Sequence, residues 1–250
     1  MIELENRFFP EGQSYNGPED DPATEADCNV WDWDQLRLIK IRGPAHLFPG
    51  DKDLEYLTLA KVADHLSPSV TSVNVNSDGL IKALSTDPEE DETLFLVYLP
   101  FQICTALAKC RTIKYSQLTE LDRLSGKINL ASYIDAGVSH NVVFKFNVWY
   151  RWIRLQKVWD EPHLLSSIPS HPNILPLDAI VLDDAPAAVH PRFLGFTTRY
   201  IPGDTLENPR IPFRLAWLHQ LLDVVDYLNL QIGILHQDIA PRNLLIDPDT

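Results

Sequence analysis

The stretch "ILHQDIAPRNLLIDPDT", residues 234–250, sets His236, Asp238 and Asn243 at fixed spacing inside an otherwise apolar run. Polar side chains in such a run need a reason, because Ile and Leu at this density ordinarily continue an element into a core. Asp and Asn bond readily to nearby backbone, so a loop that caps its own amides is one explanation. The upstream elements decide whether chemistry is another.

Directly before it, "FRLAWLHQLLDVVDYLN" (213–229) places Leu218, Leu221, Leu222, Val225 and Leu228 on one helical face, with Gly233 beyond as a breaker. Strand candidates precede this helix at "SQLTELDRLS" (116–125), "INLASYID" (128–135), "VVFKFN" (142–147), "AIVLDD" (179–184) and "RFLGFTTRYI" (192–201). Between the third and fourth, "NVWYRWIRLQKVWDE" (147–161) brings Trp149, Trp152 and Trp159 near one helical face, as core packing requires. The order is five strands around one helix, then a long helix into the polar loop, an α+β pattern.

Farther upstream, residues 29–112 read as a small α+β extension, with strand-like runs from "NVWDWDQLRLIKI" (29–41) to "LFLVYLPF" (94–101) and one helix at "DLEYLTLAKVADHL" (53–66). Residues 1–28 read as a disordered acidic tail, because "PEGQSYNGPEDDPATEAD" (10–27) has no apolar period. The acidic "STDPEEDET" (85–93) reads as a solvated turn. No repeat of domain-building length is present.

Composition narrows the function classes. With 45% apolar and 10% aromatic residues the 250-residue chain can fill a core, and a net charge of −14 opposes binding to nucleic acid or anionic lipid. No apolar segment is long enough for a bilayer span, so no membrane partner is expected. The amino-terminal "MIELENRFFPEGQ" carries acids where a leader carries bases, which leads us to expect an intracellular, cytoplasmic protein. Cys28, Cys104 and Cys110 are too few and too uneven for a disulfide framework or a zinc site, and fit buried thiols in a reducing compartment.

The element order and the His-x-Asp-x4-Asn spacing resemble a protein kinase small lobe, a five-stranded antiparallel sheet plus one helix, followed by the start of its helical large lobe. "VVFK" is similar to the V-A-I-K strand motif, "HPNIL" (171–175) to the turn into the fourth strand, and "TTRYIPGDTL" (197–206) to the hinge. Among kinases the chain looks most like the kinase-like proteins of filamentous fungi that carry an HQDIAPRN loop. The domains implied are 1–28 tail, 29–112 extension, 113–202 small lobe and 203–250 partial large lobe.

The resemblance implies ATP and Mg2+ as cofactors and a protein hydroxyl as acceptor. Phosphoryl transfer needs positioning and charge neutralisation more than covalent chemistry, so few residues suffice. Asp238 would accept or orient the acceptor proton, Asn243 would offer an amide oxygen to the metal, and Arg242 would approach the γ-phosphate. Lys145 would meet the α- and β-phosphates with Glu161 as its ion-pair partner, although Pro162 after Glu161 restricts helical geometry there. Leu130, Val143 and Leu245 would enclose adenine, Thr198 is the gatekeeper, and backbone at 199–201 would meet the adenine edge.

Two departures bear on activity. "LSGKINL" keeps only Gly126 where the family has a glycine-rich loop, so its backbone closes less well over phosphate. The family's D-F-G metal ligand falls past Thr250, which leads us to expect a chain nearly inert in turnover. A pseudokinase that binds partners without turnover and a small-molecule phosphotransferase with a similar loop are the alternative classes.

Overall fold

The computed structural model of the protein describes residues 4–18, 23–91, 93, 101, 104–147, 159–184 and 191–248. Two compact units emerge, one gathering the described residues up to 93 with the turn Asp122–Asn129, the other holding the rest. The fold is mixed α+β throughout, and residues 203–248 fall in the second unit.

The first unit runs α1 (Leu4–Arg7), β1 (Phe8–Tyr15), β2 (Glu25–Asp32), β3 (Arg37–Pro44), α2 (Lys52–Val62), β4 (Ser72–Val75) and β5 (Ile81–Ser85), with the strands side by side in chain order. β1, β2 and β3 form an antiparallel meander, whereas β4 lies parallel to β3 with Val73 beside Ile41. The α2 crossover makes that parallel pairing possible. Asp51 starts α2 by accepting the Asp53 N–H at 3.0 Å. Leu59 and Val62 from α2 pack with Phe8, Cys28, Val30, Ile39, Ile41 and Val73 into one core. Burial pushes the Cys28 thiol up to about 12, with Glu55 adding to it, so it is an inert core group.

The tail expected at 1–28 is corrected in its described parts. Residues 8–15 and 25–32 are strands, because Phe8, Ala26 and Cys28 enter the core and the ladder satisfies their backbone. The acidic turn at 85–93 is likewise tied down rather than merely solvated. Arg42 Nη1 donates to Glu90 at 2.7 Å and Ser72 Oγ to the same carboxylate at 2.7 Å. Hydrogen bonds from Ser85, Ser72 and Arg42 hold that carboxyl down at about 2.

The second unit contains β6 (Thr112–Lys114), the start of β7 (Thr119–Ser125), β8 (Ile128–Asp135) from Leu130, β9 (Val138–Phe146), α3 (Asp160–Ser167), β10 (Leu177–Leu182), β11 (Phe193–Arg199) and α4 (Leu215–Asp226), while residues 122–129 of β7 and β8 group with the first unit. Its sheet has six strands in the order β6-β10-β11-β9-β8-β7, not five. The sixth, β6, lies parallel to β10 with Ile113 beside Val181, and the short "TIK" run gave too little alternation to reveal it. One face of β9 packs Phe144 and Phe146 with Tyr115, ring centroids 4.2 to 5.9 Å apart. The other face carries Val143 and Lys145.

The helix expected at 213–229 is observed as α4 followed by a π-helical turn, Tyr227–Ile232, and Gly233 stops it at φ +77°. None of the α4 residues is buried, and Leu218 and Leu222 remain 39% and 52% exposed. The expected strand 94–101 and the Trp149 and Trp152 stripe lie outside the described residues, apart from residue 101. Trp159 packs its ring 4.5 Å from Phe193. No helix of the described residues is long and apolar enough to cross a membrane.

Candidate functional site

Lys145 sits on β9 opposite Phe196 of β11, and Val143 sits opposite Thr198. Paired residues share a sheet face, and alternation places Leu130 there as well, because Tyr133 and His140 stack at 5.2 Å on the opposite face. Leu130, Val143, Lys145 and Thr198 therefore occupy one face of the second unit's sheet. Thr198 is buried and Val143 and Leu130 half-buried, so the face offers apolar surface beside one ammonium.

The Lys145 ammonium donates to Glu161 Oε1 at 2.7 Å. Pro162 does not keep Glu161 from helical geometry, contrary to the local expectation. Both lie in the first turn of α3, where proline's missing N–H costs no intrahelical bond. The two side chains are 36% and 52% exposed. An ion pair so open to water contributes at most about 1 kcal/mol to stability.

The position of Lys145 depends on a residue that sequence reasoning passed over. A Cβ on Gly195 would overlap the Lys145 carbonyl oxygen and press on the Phe144 ring. β11 approaches β9 this closely only without a side chain, and the isolated glycine inside "RFLGFTTRYI" was the available signal.

The polar loop is assembled by neighbours in sequence. Arg242 Nη2 donates to Asp238 Oδ1 at 2.7 Å, and Asn243 Nδ2 donates to Asp238 Oδ2 at 2.9 Å and to the Asp238 carbonyl at 3.0 Å. Gln237 adopts φ +64°, and Pro241–Asn243 form a 3-10 turn. Asp238 and Arg242 are 62% and 58% exposed, so the loop is open to solvent rather than enclosed by buried strands. Asn243 turns its amide nitrogen to Asp238, which leaves its carbonyl oxygen as a hard donor.

After the loop the chain forms an isolated antiparallel bridge, Thr205 to Leu245. Around it the Leu206 N–H donates to the Leu244 carbonyl and the Ile246 N–H to the Asp204 carbonyl, both at 2.9 Å. Gly203 allows this approach, since a Cβ there would overlap the Ile246 carbonyl oxygen. Leu245 remains 47% exposed. Just past β11 the Tyr200 N–H donates to the Asn141 carbonyl at a long 3.4 Å.

Gly126 is closely packed. Its φ lies outside the left-handed region, and a Cβ there would meet Trp33 Nε1 at 2.8 Å. Gly126 and this indole belong to the same compact unit.

Among the described residues no group of three His, Cys, Asp or Glu side chains is placed to hold a metal ion.

Comparison with known proteins gives limited but pointed help. No family model matches the chain. Over 101 residues it is 31% identical to casein kinase II subunit alpha' of Saccharomyces cerevisiae, covering 38% of this chain and 28% of that protein. The chain therefore spans under a third of the relative's length. That likeness, with the mixed α+β fold, supports a distant protein kinase-like relationship.

Proposed function

We propose that the chain carries the nucleotide-binding part and the polar loop of a phosphotransferase that uses ATP and Mg2+ and delivers phosphate to protein hydroxyls. The observation that carries this is the 2.7 Å Lys145–Glu161 pair on the same sheet face as Leu130, Val143 and Thr198. An ammonium fixed by a carboxylate beside apolar surface suits a ligand with an aromatic base and a polyanionic tail.

Lys145 supplies a localised positive charge to phosphate oxygens, and Glu161 keeps its ammonium aimed. The apolar side chains of Leu130, Val143 and Leu245 receive the base, and Thr198 limits the depth of that surface. Asp238 orients an acceptor hydroxyl and takes its proton, while Arg242 and Asn243 hold the carboxylate in place. Mg2+ would neutralise phosphate charge when bound. The Asn243 oxygen fits as one of its ligands, because the cation commonly takes the others from phosphate and water.

A second reading, nucleotide or partner binding without turnover, is favoured by the packing of Gly126 against Trp33. Calorimetric titration with Mg-ATP tests the site directly. Binding is expected in the wild-type chain and lost in Lys145→Ala, and equal affinity in both would sink the assignment. Transfer of labelled γ-phosphate to pooled Ser, Thr and Tyr peptides separates the two readings, and transfer to a small-molecule hydroxyl instead would redirect the first.

A further inference from the structure

The helix that carries Glu161 is too short to hold itself. α3 has eight residues, and isolated helices of that length are unstable in water. Its ion pair to Lys145 is too open to solvent to fix it. α3 is held by packing instead, against β10 and against the 3-10 turn Thr105–Leu107. Pro162 is the buried side chain of α3, and Leu107, fully buried, is that of the turn. α3, β10 and the turn all belong to the second unit.

The turn is itself anchored. The Cys110 N–H donates to the Leu107 carbonyl at 2.9 Å, and the Ile180 N–H donates to the Arg111 carbonyl at 2.8 Å, where the chain enters β6 beside β10. Arg111 then reaches across the sheet. Its Nη1 donates to the Tyr133 hydroxyl at 2.6 Å and its Nη2 to Asp135 Oδ2 at 2.8 Å, both on β8, and Asp178 of β10 lies 3.7 Å away. The Tyr133 hydroxyl donates to Asp178 at 3.1 Å, and Thr197 of β11 donates to the same carboxylate at 2.8 Å. Burial, with Asp178 beside it, pushes the Tyr133 phenol up, so it stays a neutral donor. Tyr133 and Thr197 lie on the sheet face opposite Lys145, so this anchor is separate from the candidate site.

We propose that Leu107 is a positioning residue: seated by the Arg111 anchor, it sets the placement of α3 and so keeps the Glu161 carboxylate on the Lys145 ammonium. The functional part of this inference rests on the phosphotransferase proposal, in which Glu161 aims the charge that Lys145 offers to phosphate oxygens. Leu107 has no exposed surface for a nucleotide to touch, so it acts only through the helix.

Acylation of the Lys145 amine by an N-hydroxysuccinimide ester, read by peptide mass spectrometry, reports the ion pair in the full chain without nucleotide. A hydrogen-bonded ammonium reacts more slowly than a free one, so Glu161→Ala is expected to raise the rate about two- to fivefold, the scale of an exposed ion pair. Leu107→Ala is expected to raise it as much. Leu107→Ala/Glu161→Ala should go no further than Glu161→Ala alone, because both changes remove the same contact. Increases that multiply in the double variant, or no increase in Leu107→Ala, would overturn the proposal. Leu107→Met keeps the volume and should restore the wild-type rate.

Hydrogen–deuterium exchange of the same variants checks the route. Leu107→Ala should expose the α3 amides while β9 and β11 stay protected, and unchanged α3 exchange would overturn the positioning role. If β9 and β11 also lose protection, the smaller change Leu107→Val takes its place with the same expected pattern. Mg-ATP affinity should fall in Leu107→Ala by the factor seen in acylation, and fall no further in the double variant. The two proposals fail separately. Lys145→Ala leaving Mg-ATP affinity unchanged removes the nucleotide site, whereas the placement of Glu161 by Leu107 stands or falls on acylation and exchange.

Discussion

Lys145 and Asp238 carry the two charges on which the proposed chemistry turns, and the fold holds them by different means. Lys145 is fixed by residues distant in sequence: its strand pairs with β11, its ammonium meets Glu161, and Phe196 lies beneath it at 5.7 Å. Asp238 is fixed by Arg242 and Asn243, four and five residues on. A strand-borne group inherits the rigidity of the sheet and fails with it. A loop-borne group keeps its local hydrogen bonds when distant packing changes, but stays open to water that competes for them.

The sharpest way to break the comparison is through Gly195. In Gly195→Ala the new Cβ meets the Lys145 carbonyl, a backbone atom that cannot swing aside, so β9 and β11 must part. Overpacking of this kind costs about 1–3 kcal/mol. A fall of roughly 3–10 °C in the thermal midpoint is expected, with Mg-ATP binding weakened because Lys145 moves. The Asp238 loop should keep its amide protection. A variant that melts within about 1 °C of wild type would show that the strand spacing is softer than it looks.

Gly203→Ala is the matching perturbation on the loop side, and smaller. Its Cβ meets the Ile246 carbonyl at the exit of the polar loop, a segment held by one bridge and two flanking hydrogen bonds. Faster exchange is expected at the Leu206 and Ile246 amides, with β9 amides unchanged and a loss of about 1 kcal/mol, the scale of those bonds. Deprotection that reached β9 would mean the two regions are coupled, contrary to the contrast drawn above.

Much of the second unit was legible in the sequence because its strands alternate cleanly and its breakers are strong. β8 matches "INLASYID" residue for residue, and Gly233 ends the long helix as its position requires. Lys145 and Val143 share a face because they stand two apart in one strand, whereas the register that brings Thr198 beside Val143 is visible only in the structure. β1 was missed, since "FFPEGQSY" contains Pro and Gly and pairs across a register shift at Pro10/Gly12. The ion pairs around Asp32 were missed for another reason. In "WDWD" (31–34) both kinds of residue turn inward, and a buried Asp32 can be understood only once Arg7 and Arg37 are beside it. Long-range charge pairing leaves no periodic mark in a sequence.

Arg242→Ala tests the local half of the comparison at its weakest joint. The Arg242–Asp238 pair is an exposed i,i+4 contact, and such pairs contribute about 0.3–0.5 kcal/mol. The expected change in thermal midpoint is under about 2 °C, because Asn243 still donates twice to Asp238. Asn243→Ala removes both of those bonds and should loosen the loop more, read as faster exchange at the Asp238 and Asn243 amides. If Arg242→Ala proved the more disruptive of the two, the carboxylate would be held by charge rather than by geometry. Salt would then move it, whereas two short amide hydrogen bonds resist screening.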